Sequence, residues 1–315
     1  MDRMKIFSGN SNIEFAKKVA QTAGLELGHC DIGRFADGEV QVEIHESVRG
    51  ANVFLIQSTH PPVNESYMEM FFMLDAFKRA SAADITLVMP YYGYARQDRK
   101  VAPRAPISAK CVAELCATAG ANRLVCVDLH SSQIQGFFDG PVDHLFAIPT
   151  LARAWRDQMG HGEEYVVVSP DAGGVERARA FAKRIEAPIA IIDKRRSGPN
   201  EAKALHLIGD VKGKKAIILD DMIDTAGTMV QAVDSLLNNG AKEVFAVATH
   251  PVLSGPAITR IKESGLTKVW VSDTIPLKDA AKACGKFEVV SVAPVVAEAI
   301  RRIYTYDSVS ALFDN

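Results

Sequence analysis

Cysteine is scarce in this chain. Cys30, Cys111, Cys116, Cys126 and Cys284 are odd in number and share no metal or redox spacing, which argues against a disulfide framework. No apolar run approaches membrane-spanning length, and the first residues have no signal-peptide core. The expectation is a reduced, cytoplasmic setting without a membrane partner. An excess of either charge is also missing: 36 basic residues face 38 acidic ones, for a net charge of -2, so nucleic acid is not an expected partner. The pattern Gly-x-x-x-x-Gly-Lys-Ser/Thr is absent, which excludes a Walker A loop. No low-complexity linker interrupts the chain, so any domains should be paired fairly rigidly.

What is present is an ordinary globular composition, 48% hydrophobic and 23% charged over 315 residues, long enough for two domains with cores of their own. Residues 4–8 read as a strand, and Ser11 with Glu14 as a capping box opening a helix that runs to about Gly24. Residues 34–44 alternate like a half-exposed hairpin turning at Asp37-Gly38. Strands over 51–57, 84–89 and 123–128 alternate with helices over 67–80 and 107–119, with a basic-aromatic loop at 90–105. From about Pro149 the pattern repeats. Helices over 150–158 and 174–185 are interleaved with strands over 165–168 and 188–192, and a polar run fills 193–210. Strands over 216–219, 244–249, 269–272 and 289–292 follow. Strand and helix in alternation predict an α/β fold with mainly parallel sheets, in two domains of similar build divided near residue 148.

The most informative stretch runs from Lys215 to Met229. A short apolar strand is followed by Asp220 and Asp221 where it would leave its sheet. Asp224, Thr225, Ala226, Gly227 and Thr228 come next, and then a helical pattern. Free N–H groups at a helix start, with hydroxyls from Thr225 and Thr228, suit a dianionic phosphate. Carboxylates repel phosphate but accept hydrogen bonds from vicinal hydroxyls, so the stretch fits a ribose 5-phosphate. Helix capping by Asp224 accounts for one acid. It does not account for three within five residues beside a buried strand, where unpaired charge is costly.

Other groups are less specific alone. Ser169 to Glu176 is a second strand–loop–helix with Gly173 and Gly174, and would serve a pyrophosphate carried by the same molecule. Lys194, Arg195 and Arg196 form either a solvated charge run or a clamp on a transferring phosphoryl group, with a mobile lid expected over 197–203. Asp128 and His130 leave a strand together, and composition does not decide between a structural histidine and a ligand. Tyr91, Tyr92 and Tyr94 with Arg96, Arg99 and Lys100 fit both a nucleotide-binding platform and a subunit contact.

These motifs in this order resemble a class I ribose-phosphate pyrophosphokinase over essentially the full length. The stretch at 220–228 resembles the phosphoribosyl-pyrophosphate motif, and 128–143 resembles the family's metal-binding signature. The resemblance implies two type I phosphoribosyltransferase-like domains, 1–148 and 149–304, with 305–315 returning to the first. It implies transfer of a diphosphoryl group from Mg²⁺-ATP to ribose 5-phosphate, supplying nucleotide, histidine and tryptophan biosynthesis. Asp220, Asp221, Asp224, Thr225, Ala226, Gly227 and Thr228 would bind ribose 5-phosphate. Asp171, Ala172, Gly173 and Gly174 would bind the pyrophosphate. Phe35, Asp37 and Glu39, from a neighbouring subunit, would meet adenine, and Arg96, Gln97 and Arg99 the rest of ATP. His130 and Asp171 would hold Mg²⁺-ATP, and Lys194 and Arg196 would be catalytic. Ser47, Arg49, Ser81, Ser308, Ser310 and Phe313 resemble a regulatory site for phosphate and ADP, in a homo-oligomer expected to be a hexamer. Ala36 departs from the serine of many members and removes one hydroxyl from the adenine loop. A nucleobase phosphoribosyltransferase would share the 220–228 loop but has no need of the 128–143 signature. A non-catalytic associated subunit should have lost Lys194 and Arg196, and both are present.

Overall fold

The computed structural model describes residues 3–195 and 204–313. The chain forms two compact units, Met1–Phe146 with Val292–Asn315, and Ala147–Ser291.

In the first unit β1 (Met4–Ser8), a hairpin of β2 (Cys30–Arg34) and β3 (Val40–Ile44), and β4 (Asn52–Ile56) are followed by β5 (Asp84–Met89), β6 (Arg123–Val127) and β7 (Val142–Leu145). The sheet order is β1-β4-β5-β6-β7, and every pair in it is parallel. Parallel strands need covering on both faces, which explains the continuous apolar runs of β4 to β6. Part of that cover comes from α1 (Ile13–Thr22), α2 (Val63–Arg79) and α3 (Ser108–Ala119). Phe7, Met70, Met73, Leu74 and Phe77 sit fully buried in this core. The hairpin turns at Asp37-Gly38 as its sequence predicts. Gly38 has φ 94°, and Asp37 accepts a hydrogen bond from the Glu39 N–H at 3.1 Å.

The first helix starts differently from its capping-box reading. Its cap is Asn12, whose Oδ1 accepts from Phe15 N at 3.4 Å, while Ser11 Oγ donates to the buried Gln57 at 2.7 Å. A tertiary acceptor has outcompeted the local cap. The return to this unit also begins earlier than residue 305. Helix α9 (Ala293–Thr305) packs on α1 through its own apolar stripe, including Val296, Ala299 and Ile300, so the whole helix crosses over.

The second unit contains α4 (Ile148–Met159), β8 (Tyr165–Ser169), α5 (Val175–Arg184), β9 (Ile189–Arg195), β10 (Ala204–Ile208) and β11 (Lys215–Ile223). After α6 (Gly227–Asn238) come β12 (Glu243–Pro251), α7 (Ala257–Glu263), β13 (Leu266–Ser272), α8 (Asp279–Ala283) and β14 (Phe287–Val290). The order is β10-β9-β8-β11-β12-β13-β14, parallel except for the β9–β10 pair. The polar run after residue 192 therefore contains strand at both ends, an antiparallel edge that hydropathy alone hides. Trp155 anchors this core, fully buried against Trp270 at 4.6 Å and Phe245 at 5.4 Å.

Candidate active site

The site follows from the strand order of the second unit. From β8 the chain steps outward to β9 and β10, then returns to the other side of β8 as β11 and continues to β14. The order reverses between β8 and β11. In open α/β sheets the loops at such a reversal diverge and leave a crevice at the carboxyl ends of the strands. The loops after β8 and β11 are the two glycine loops singled out in the sequence. In the first unit the strands follow one another across the sheet in chain order, with no comparable reversal.

After β8, Ser169 Oγ donates to the Asp171 carbonyl at 2.7 Å, and the Gly174 N–H donates to Asp171 Oδ1 at 3.0 Å. A Cβ on Gly174 would lie 2.9 Å from Ser169 Oγ, so any side chain there would displace the hydroxyl that ties the loop. Asp171, Ala172 and Gly173 are exposed at the loop tip. After β11, Ala226 occupies the left-handed region at φ 58° and leads directly into α6. A non-glycine residue held there stores strain of about 1–3 kcal/mol, as functional loops often do. The N-cap residues of α5 and α6, Gly174 and Ala226, supply no side-chain cap. The first N–H groups of both helices stay available to an anion.

The acid pair does not lie beyond its strand. β11 continues through Asp220 and Asp221 to Ile223, because β12 is also long and pairs Asp220 with Ala248 and Ile223 with Pro251. On the other side β8 pairs with β11 only as far as Ile218. The carboxylates therefore stand on a strand fixed along one edge, at the mouth of the crevice. Asp221 is buried, whereas Asp220 keeps a third of its side chain exposed.

Arg177, one turn into α5, faces both acids. Its Nη1 lies 3.8 Å from Asp221 Oδ1 and 4.0 Å from Asp220 Oδ1, with one-fifth of the side chain exposed. Sequence reading missed it, since nothing local to Arg177 distinguishes it from any helical arginine. Burial, and then the Asp221 charge, push the Asp220 carboxyl up to about 8, partly opposed by Arg177. A carboxyl that keeps its proton can donate a hydrogen bond as well as accept one, as suits the hydroxyls of a vicinal diol.

This has a consequence for stability. An unfolded Asp ionises near 3.8, so between there and about 8 the folded chain keeps a proton that the unfolded chain loses. Stability contributed by this group therefore falls as pH rises through that window. Asp220→Asn carries no such proton and should gain in Tm relative to the parent from pH 5 to pH 8, in the absence of substrate. A Tm difference that does not change with pH would contradict the assignment.

The other residues singled out divide as follows. Phe35, Asp37 and Glu39 share the β2–β3 turn, all exposed, with the Phe35 N–H donating to Glu39 O at 2.8 Å. Arg96, Gln97 and Arg99 are exposed on the loop before α3, where Ser108 Oγ donates to Gln97 Oε1 at 2.6 Å. Two of the tyrosines beside them, Tyr91 and Tyr92, are anchors and not a stacking surface, while Tyr94 stays partly exposed. Tyr91 and Tyr92 are buried, Tyr92 Oη donates to Ala109 O at 2.7 Å, and Tyr67 donates to Gly93 O at 2.8 Å. His130 is exposed just beyond β6, after a buried Asp128 at φ 39°. Ser47 and Arg49 lie near Ser81 through a 2.8 Å bond from Gly50 N to Ser81 O. Ser308 and Ser310 hydroxyls are 2.9 Å apart, and Phe313 meets Phe146 edge-on at 5.3 Å. Lys194 enters only as backbone, paired with Leu205, while Arg196 and 197–203 lie outside the described residues.

Two uncapped glycine loops at a strand-order reversal, with an acid pair on the strand between them, define an α/β protein built to hold a phosphorylated ligand. Comparison with known proteins makes the family specific. Residues 4–120 match the N-terminal domain of ribose phosphate pyrophosphokinase, and residues 195–314 match the phosphoribosyl synthetase-associated domain. The chain is 58% identical over 310 residues to the ribose-phosphate pyrophosphokinase of Caldanaerobacter subterraneus subsp. tengcongensis, covering 98% of each. It is 53% identical over 310 residues to that of Bacillus subtilis, covering 98% of this chain and 97% of the other. The crystal structure of phosphoribosylpyrophosphate synthetase from Mycobacterium smegmatis superposes with a TM-score of 0.91 at 43% identity, covering 96% of this chain and 99% of that one. The chain belongs to the ribose-phosphate pyrophosphokinase family.

Proposed function

We propose that this protein transfers the β,γ-diphosphoryl group of Mg²⁺-ATP to the 1-hydroxyl of ribose 5-phosphate, giving 5-phospho-α-D-ribose 1-diphosphate and AMP. The observation that carries the reading is the pairing of two anion loops at one strand-order reversal with acids between them. A product bearing a 5-phosphate, a diol and a 1-diphosphate needs all three. The hydroxyl oxygen bonds to the β-phosphorus, the α–β bridge breaks, and its oxygen leaves on AMP while the hydroxyl proton is lost. Holding both substrates in line does much of the work in such transfers.

In this reading 224–228 binds the 5-phosphate, Asp220 and Asp221 the ribose hydroxyls, and 171–174 the diphosphate. Phe35, Asp37, Glu39, Arg96, Gln97 and Arg99 bind ATP, and Lys194 and Arg196 act on the transferring group. Among the described residues no three His, Cys, Asp or Glu side chains gather into a metal cluster. Mg²⁺ held by one or two protein groups and by phosphate oxygens requires none. The exposed Asp171 carboxylate is a suitable oxygen donor, and the resemblance names His130 as a second group for Mg²⁺-ATP. Bound Mg²⁺ would neutralise phosphate charge. The test is AMP release from ATP that depends on both ribose 5-phosphate and Mg²⁺. A phosphoribosyltransferase or a non-catalytic subunit would release none.

We also infer a cytoplasmic homo-oligomer, a hexamer, with phosphate and ADP acting through the serine clusters at 47–81 and 308–313. No helix among the described residues is long and apolar enough to cross a membrane. Phe35, Met68, Phe72 and Leu115 are each more than 40% exposed in the first unit, as suits a surface covered by a second copy. Specific activity is expected to fall on dilution as the oligomer dissociates. A monomer fully active at nanomolar concentration would refute a shared ATP site.

A further inference from the structure

The loop after β11 is braced from outside. Past β12 the chain turns back through Leu253 at φ 48° and Gly255 at φ 53°. There Leu253 N donates to Ile223 O at 2.9 Å, and Ser254 N donates to Asp224 O at 3.0 Å. Helix α7 follows, seated by the buried Ala257 and Ile261. From it Arg260 reaches over the loop, and its Nη1 donates to Thr225 O at 3.0 Å. Three consecutive carbonyls, those of Ile223, Asp224 and Thr225, are thus held by one segment. The guanidinium also covers the first helical residue of α6: a Cβ on Gly227 would lie 3.2 Å from Arg260 Nη1.

We infer that Arg260 is a positioning residue for the 5-phosphate of the sugar substrate. Its hydrogen bond fixes the Thr225 peptide, and with it the left-handed Ala226 that aims the first N–H groups of α6 at the phosphate. Its charge lies beside those N–H groups. Neutral donors such as Leu253 N and Ser254 N hold the loop but add no net charge. Gly227 then has a reason beyond backbone freedom, since a methyl group there would press on the guanidinium. The inference rests on the ribose 5-phosphate reading above.

Isothermal calorimetry with ribose 5-phosphate alone, without ATP, separates the two. If the parent chain does not bind the sugar phosphate, the functional reading fails first. If it binds, Arg260→Ala should weaken Kd by about tenfold or more, the range expected for loss of a charge-assisted hydrogen bond. In steady-state assays the KM for ribose 5-phosphate should rise in parallel, while that for ATP stays within about twofold. Arg260→Lys, which keeps the charge but not the planar fork, should recover part of the loss. Arg260→Gln, which keeps a donor but no charge, should recover less in low salt. Gly227→Ala should cost less in the Arg260→Ala background than in the parent, because the two groups are in contact. Unchanged sugar-phosphate affinity in Arg260→Ala would overturn the inference, as would equal losses for ATP and ribose 5-phosphate. A fall in Tm with affinity intact would reduce Arg260 to a structural tie and overturn it too.

Discussion

Replacing Lys194 or Arg196 by alanine is expected to lower kcat by on the order of 100- to 1000-fold, or roughly 3–4 kcal/mol, the usual cost of removing one donor that serves a transition state. β9, which carries Lys194, runs parallel beside β8, the strand that leads into the Asp171 loop. As the β-phosphorus is attacked, negative charge redistributes over its oxygens and onto the leaving α–β bridge. Cations that act on the transferring group would stabilise that arrangement more than they stabilise bound ATP, so their effect would belong in kcat and not in KM. Arg195 lies between the two in sequence and has no role in the transfer. Arg195→Ala should cost far less. Steady-state kinetics on the three single variants decide the matter. Small and similar effects at all three positions would make the cluster a solvated charge run, and a ranking led by Arg195 would overturn the assignment.

The second large effect concerns the acid pair. Asp220→Ala and Asp221→Ala should each raise the KM for ribose 5-phosphate by about ten- to a hundredfold, the span expected when a hydroxyl is left without its partner in a largely buried site. Asp221 should cost more, being buried, while Asp220 keeps a third of its side chain in solvent. Removing it also leaves Arg177 facing one acid in place of two. The complementary change is in the substrate: 2-deoxyribose 5-phosphate leaves a carboxyl without its hydroxyl and should be a poor substrate. Comparing KM for both substrates in both variants checks this. Equal rises for ATP and ribose 5-phosphate would show that the carboxylates serve the metal and not the sugar.

What could be read from the sequence was local. Alternating strands and helices, the Asp37-Gly38 turn, and the two glycine loops each carry their signal within a few residues, and the α/β reading with mainly parallel sheets rests on them. What could not be read depends on partners distant in the chain. β11 extends through its acids because β12 supplies hydrogen bonds as far as Pro251. Arg177 and Arg260 matter through groups 43 or 44 and 35 residues away, respectively, and no spacing rule reaches that far. Ser11 is drawn from its cap by Gln57, and Tyr91 and Tyr92 are drawn inside by the core of the first unit. The return of α9 was hidden for a similar reason. Its stripe is amphipathic whichever unit it covers, and only packing on α1 assigns it.

The central claim is that a diphosphoryl group moves as one piece to the sugar. Phosphorus NMR of the chain with ATP, Mg²⁺ and ribose 5-phosphate tests it directly. The account predicts that the ATP resonances are replaced by an AMP singlet and by two coupled signals of a diphosphate attached to C1 of the ribose, in equal amounts with AMP. ADP appearing with a ribose bisphosphate would contradict it, since a single phosphoryl group would then have moved.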